Sequence, residues 1–236
     1  MAKVRSTASH PQRRWQSKQR RSSLIRREQA SGLSQAEQTA LFRQQALLAA
    51  QQGNYETAIA LFSRLIEQNS DNANDYSNRG LVYFQSGHAE KAIVDFNRAI
   101  DLNPRLDSAY NNRANYYAAH GQFLEAILDY DVALDLNPSN VRAWINQGIT
   151  FRELEMYERA IESFELALYL SKLEGHIYAE RGRTYHLRGD WNCAIGDYQR
   201  AIVALPKANP FSSDPSARLH AQVEAWMDEL ISPWQV

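Results

Sequence analysis

The stretch YSNRGLVYFQSG, Tyr76–Gly87, decides the fold because the chain repeats it. YNNRANYYAAHG follows at Tyr110–Gly121 and YAERGRTYHLRG at Tyr178–Gly189, each displaced by a multiple of 34 residues. Between them stands WINQGITFRELE, Trp144–Glu155, with no arginine at the matching place. A 34-residue frame starting at Thr39 gives five copies without a gap: 39–72, 73–106, 107–140, 141–174 and 175–208. Position 4 of the frame is aromatic (Phe42, Tyr76, Tyr110, Trp144, Tyr178) and position 8 is small (Ala46, Gly80, Ala114, Gly148, Gly182). Position 11 reads Ala49, Tyr83, Tyr117, Phe151 and Tyr185; positions 20 and 21 are Ala-Ile in every copy, and position 24 is always aromatic.

Positions 4, 8 and 11 share one helical stripe and 17, 20, 21, 24 and 28 another, so each copy is a pair of helices. Glycine at position 15 (Gly53, Gly87, Gly121, Gly189) divides the two stripes and supplies the backbone freedom a tight turn needs. Asn-Pro at 103–104 and 137–138, and Pro206, close three copies. The small residues at positions 8 and 20 are expected to let the paired helices approach closely. One such pair cannot bury its own apolar face, so the copies must stack on one another, which predicts an all-α solenoid.

The pattern of aromatic-4, small-8, Tyr-11, Ala-20, aromatic-24 and Pro-32 resembles the tetratricopeptide repeat (TPR) over these five copies. The wording NRG…AI.DF..AI.LNP resembles repeats of cyanobacterial and plastid proteins, several of which help assemble photosynthetic complexes. The fourth copy departs from the pattern, with Glu155 at position 15 and Lys172 at position 32; the first has Ala49 at 11 and Ser70 at 32.

Position 7 reads Gln45, Arg79, Arg113, Gln147, Arg181, and position 23 reads Leu61, Asp95, Asp129, Ser163, Asp197. Copies with arginine at 7 are the copies with aspartate at 23. An ion pair bridging the two helices of a repeat accounts for this, because each charge would be poorly compensated alone. It predicts the contacts Arg79–Asp95, Arg113–Asp129 and Arg181–Asp197, and gives these arginines a structural role.

The resemblance implies a concave groove lined by positions 2, 5, 6, 9, 12 and 13 of the first helices. Asn78, Asn112 and Asn146 form a ladder at position 6, with Asn111 and Asn115 beside it. An amide carries donor and acceptor together and matches the backbone of an extended peptide; the plainer reading is a polar lining. Leu81, Phe84, Ile145 and Ile149 add apolar surface, and Arg43, Arg142, Arg152 and Arg183 outnumber Glu153 and Glu180. A client segment with apolar anchors and some acidity suits such a groove. The carboxylate clamp that holds heat-shock chaperone tails is disfavoured, because Ser108 and Asn112 stand where bases belong.

Ser34 and Glu37 make a capping box, so the first helix should start near Gln35. Asp214-Pro215 reads as an N-cap and first helical residue, and Leu219, Val223, Trp226, Met227 and Leu230 continue at helical spacing as a capping helix over 215–231. Residues 209–236 thus divide into linker and cap.

The net charge of −1 conceals an asymmetry. Of 26 basic and 27 acidic residues, nine and one fall within residues 1–30, leaving 17 against 26 beyond. The segment 1–33 is expected to be a basic tail that is disordered alone. Arg13, Arg14, Trp15, Lys18, Arg20, Arg21, Arg26 and Arg27 would dock an anionic surface: nucleic acid, an acidic membrane or an acidic protein. A solvated tail and a cleaved transit peptide are the other readings. The location is expected to be cytoplasmic, or stromal if residues 1–30 are a transit peptide. No apolar run reaches the roughly 20 residues a membrane helix needs.

The histidines are scattered, and no phosphate loop or nucleophile motif is present. Cys193, the single cysteine, reads as an inert packing residue. The sequence therefore points to a non-enzymatic interaction scaffold without a cofactor. The competing function is a nucleic-acid or ribonucleoprotein factor that docks through the tail.

Overall fold

A computed structural model describes residues 34–170, 174–207 and 214–231. The tail and its eight named docking residues, Lys172, the linker at 209–213 and Trp234 lie outside the described residues. Among the described residues there are eleven helices and no strand: α1 Gln35–Gln51, α2 Tyr55–Gln68, α3 Ala73–Gln85, α4 Ala89–Leu102, α5 Asp107–Ala119, α6 Phe123–Leu136, α7 Val141–Glu153, α8 Tyr157–Leu170, α9 Glu174–Arg188, α10 Trp191–Ala204 and α11 Pro215–Ile231. The chain forms two compact units, Met1–Ser70 and Asp71–Val236.

The first unit carries the first copy as the pair α1 and α2. The Ser34 hydroxyl accepts from the Glu37 amide at 3.3 Å, and the Glu37 carboxylate accepts from the Ser34 amide at 2.7 Å. These bonds hold the Glu37 carboxyl below the usual carboxylate range, the backbone bond contributing most. Ala46, Ala58, Phe62 and Leu65 are its buried core.

The second unit carries the other four copies, α3–α4, α5–α6, α7–α8 and α9–α10, stacked in sequence order. Within each pair the small residue at position 8 sits under the aromatic at position 24. A methyl group on Gly80 would lie 2.7 Å from the Phe96 ring, one on Gly148 2.8 Å from Phe164, and one on Gly182 2.8 Å from Tyr198. Helices can approach that closely only where one contributes no side chain. The aromatic rings thereby become fully buried, and they are among the largest side chains in the core.

The predicted ion pairs form in all three copies. Arg79, Arg113 and Arg181 each place Nε 2.7 Å from Oδ2 of Asp95, Asp129 and Asp197, and each donates a second bond from Nη2 to the other carboxylate oxygen. These forked pairs join the two helices of a repeat, and their aspartates are buried. In the fourth copy a neutral bond takes the same place: Ser163 Oγ donates to Gln147 Oε1 at 3.0 Å.

Between helices of a pair the chain turns through a left-handed residue, as at Gly87 with φ 80°. Glu155 adopts that conformation in the fourth copy, at φ 58°, although it carries a Cβ. The second helices stop before Asn103-Pro104, Asn137-Pro138 and Pro206 as expected.

α11 begins as predicted, with Asp214 Oδ1 accepting from the Ser216 amide at 2.9 Å. It packs chiefly on α10 and less on α9, as α5, α7 and α9 each pack on the preceding pair. Val223 is fully buried, and Leu219, Trp226, Met227 and Leu230 cover Tyr198 and Leu205. Two expectations of packing fail in the last repeat. Cys193 is exposed, because position 19 points away from the paired helix, and Trp191 at position 17 is 63% exposed.

Candidate peptide-binding surface of the first helices

The inner side of the second unit follows from which helices touch. α3 meets α5, α5 meets α7, and α7 meets α9, whereas successive second helices make no comparable contact. The stack is tighter on the first-helix side, so that side is the inside of the curve. The predicted groove residues from Asn78 to Arg183 lie on these four helices. Arg43 lies on α1, in the other unit.

The asparagine ladder proves to be partly a brace between repeats. Asn112 is buried and donates from Nδ2 to Ser77 Oγ at 3.2 Å, tying α5 to α3. Asn146 donates to Asn115 Oδ1 at 2.9 Å, tying α7 to α5, and the same oxygen accepts from the Tyr130 hydroxyl at 2.7 Å. Asn78 is half-exposed on α3. Asn111 differs from the others: its Oδ1 is buried and has no hydrogen-bond partner among the described residues. An acceptor left in that state costs about 1–3 kcal/mol. Reasoning from position 6 alone put weight on Asn112, while the amide with unused capacity is its neighbour at position 5.

The four predicted apolar residues are all partly exposed. Leu81 and Phe84 are half-buried on α3, and Ile145 and Ile149 are partly buried against the core of α7 and α8. The Phe84 ring lies 6.1 Å from that of Tyr116, which in turn stacks against His120 at 4.2 Å. Tyr116 escaped the sequence reading. Its signal was the Tyr-Tyr doublet at 116–117, where position 11 already supplies the packing aromatic.

The charges are less free than their count implied. Arg152 Nη1 lies 2.7 Å from Glu180 Oε2, with Glu153 at 3.8 Å. Arg183 lies 3.6 Å from Glu229 of α11, and its guanidinium stands 5.2 Å from the Trp226 ring centroid. Arg142 is exposed at the start of α7. Near the same end, His186 Nδ1 is 3.2 Å from both Arg183 Nη1 and the Tyr198 hydroxyl. Burial first, and then Arg183, lower the His186 pKa; burial pushes the Tyr198 phenol up to about 12. His186 Nδ1 therefore acts as an acceptor here.

Among the described residues no group of three or more His, Cys, Asp or Glu side chains is placed to hold a metal ion, and no helix is long and apolar enough to cross a membrane.

The family model described as "TPR repeat" matches residues 48–87 and 80–121, and that described as "Tetratricopeptide repeat" matches residues 111–174. No curated protein matches the sequence. Among solved structures, pilF of Pseudomonas aeruginosa superposes with a TM-score of 0.68 at 18% identity, covering 85% of this chain and 94% of that one. A thermophilic TPR protein of Thermus thermophilus gives 0.65 at 17% identity, covering 80% and 98%. The MamA protein gives 0.59 at 18% identity, covering 72% and 92%. At these identities the likeness is one of fold. The repeat motifs, the helix pairs stacked in sequence order and family matches that together run from residue 48 to 174 lead to one conclusion: the chain belongs to the tetratricopeptide repeat family.

Proposed function

We propose that this chain is a non-enzymatic adaptor or complex-assembly factor that holds an extended client segment along α3, α5, α7 and α9. Tetratricopeptide repeats form protein-interaction scaffolds, and the finer reading is the choice of surface and of client. The observation that carries it is the half-buried ring pair Phe84 and Tyr116, 6.1 Å apart on the inner side of the stack, beside Asn111, whose Oδ1 is buried without a hydrogen-bond partner and meets a client N–H once its side chain turns outward. Phe84 and Tyr116 give the client an aromatic anchor, Ile149 a second apolar one, and Arg142 addresses a carboxylate.

The test is site-specific photo-crosslinking on the full chain, with the crosslinker at Phe84 or Ile149, or at Tyr169, which is 88% exposed on α8. A client captured from the first two sites should be mapped to one segment. That segment, made as a peptide, should bind the purified chain and lose affinity on Asn111→Ala. Capture only from Tyr169, or a peptide indifferent to both Asn111→Ala and Phe84→Ala, would overturn the reading.

A further inference from the structure

The outer side of the second unit is formed by the second helices, and their exposed charge is uneven. α6 exposes Glu125, Asp131 and Asp135 and no base. α8 exposes Glu158, Glu162 and Glu165 against Arg159 alone. By contrast α4 balances Glu90 and Asp101 with Lys91 and Arg98, and α10 exposes Arg200 and no acid. The acids of α6 and α8 are poorly compensated within the unit. Glu158 has Arg188 at 3.5 Å and Glu165 has Arg181 at 3.8 Å, both loose contacts. Arg159 stands over the Phe151 ring, 4.2 Å from its centroid.

The same helix carries an apolar stripe that the core does not use. Leu124, Leu128 and Val132 recur at i, i+4 and i+8 and so share one face of α6. Leu124 is 68% exposed and Leu128 66%, while the core of the helix is a separate set: Ala126, Ile127, Tyr130, Ala133 and Leu134. α6 is thus apolar on two sides, and the outer one is uncovered. Beside it, Asp131, Asp135 and Glu162 stand in the wall of a cleft between α6 and α8. Partial burial first, and Asp135 as well, raise the Asp131 pKa although Arg159 and the Gln147 bond oppose them. Added positive charge would ease the ionisation of this group. The outer face therefore lacks a segment that is apolar at its centre and basic at its edges.

We propose that the outer face of α6 and α8 is the docking site of the chain's own N-terminal segment, residues 1–30, with Leu24 and Ile25 on the Leu124–Leu128 stripe. That segment holds nine bases and one acid, the reverse of the face. Its order also matches: Arg20-Arg21 and Arg26-Arg27 flank Leu24-Ile25, as Glu125 on one hand and Asp131 and Asp135 on the other accompany the leucines of α6. Exposed ion pairs are weak one by one, so the apolar centre sets the position and the charges add attraction around it. Thirty residues reach up to about 100 Å when extended, so the tether does not confine the segment to its own unit. Docking covers the stripe and withholds the tail's bases from other anions. The site lies on the side of the stack away from the inner surface proposed for the client, and it does not rest on that proposal.

The test uses the purified full chain with a photo-crosslinking residue at Leu128, or at Val203, which is 87% exposed on α10 where no acid is exposed. Mixing isotope-labelled with unlabelled chains separates a cross-link within one chain from one between two copies. Leu128 should capture residues 20–27 of its own chain. At about 50 mM salt its yield should exceed that of Val203 by about tenfold, and it should fall by a similar factor at about 500 mM. Glu125→Gln with Asp135→Asn and Glu162→Gln should lower the yield about fivefold at low salt. Asp131 is left in place because it accepts from Gln147 Nε2 at 2.7 Å. Leu24→Ser with Ile25→Ser should lower the yield at both salt concentrations, which attraction between charges alone would not do. Equal yields from Leu128 and Val203, a yield indifferent to salt or to the neutralised acids, or cross-links confined to a second copy would each overturn the proposal.

Discussion

Ser163 donates to Gln147 at 3.0 Å across α7 and α8, in the place where Asp197 and Arg181 meet as a forked ion pair two helices further on. The fold thus tolerates two chemistries at one interhelical position, provided both partners change together. A lone arginine there would leave a half-buried charge, and a lone aspartate a buried one, so the two sites are linked by the cost of desolvation.

That linkage predicts unequal penalties. Asp197 has 1% side-chain exposure and also accepts from Arg200 at 2.8 Å. Asp197→Asn should cost about 3 kcal/mol, because Arg181 and Arg200 lose the buried carboxylate they share and Arg181 keeps only exposed Glu165 at 3.8 Å, whereas Ser163→Ala should cost about 1 kcal/mol. Chemical denaturation of the two variants checks the ranking. Similar losses would show that the charges add nothing beyond the hydrogen bond.

Two glycine positions separate packing from backbone strain. Gly80→Ala puts a methyl group into the Phe96 ring and should destabilise by about 1–3 kcal/mol. Glu155 lies in the left-handed region that its three counterparts in the second unit assign to glycine, so Glu155→Gly should stabilise by roughly 1 kcal/mol. Thermal unfolding should move in opposite directions for the two variants.

The His186 cluster predicts a pH dependence of definite sign. Arg183 and the Tyr198 hydroxyl face Nδ1, with Glu229 as the nearby acid, and the folded pKa lies below the ordinary 6.5. The unfolded chain then binds the proton more readily, so this group favours folding above pH 6.5 and its contribution is lost as pH falls through the lowered folded value. His186→Asn keeps an acceptor and removes the titration. The fall in Tm between about pH 7.5 and about pH 5 should be smaller in the variant than in the parent chain.

How much of this was legible depended on whether a residue repeats. Ala-Ile at positions 20 and 21, the ring at 24 and the Arg–Asp pairing recur every 34 residues, and periodicity turns recurrence into geometry. Both helix starts, at Gln35 and Pro215, were readable because capping is local chemistry. The surface was less so. That Asn112 binds Ser77 and that Arg152 binds Glu180 depends on how neighbouring first helices meet, and spacing within one repeat does not contain that distance. Position 19 carried no apolar pattern, and Cys193 accordingly turned outward.

The cap offers the last prediction. In the second unit α5, α7 and α9 each cover the apolar flank of the pair before them, and for the final pair α11 performs that task, with Val223 fully buried against the cluster that contains Tyr198 and Leu205. Stacked repeats draw their stability from such interfaces, so an uncovered last pair should lose order before the rest. Val223→Asp buries a carboxylate with no counter-charge among the apolar side chains of that cluster, and should release α11 and not deform it. Hydrogen exchange should then show loss of protection in α9, α10 and α11, while α3 to α6 keep theirs. Uniform loss through the second unit would mean that its four repeats unfold as one body and that the cap stabilises them all alike.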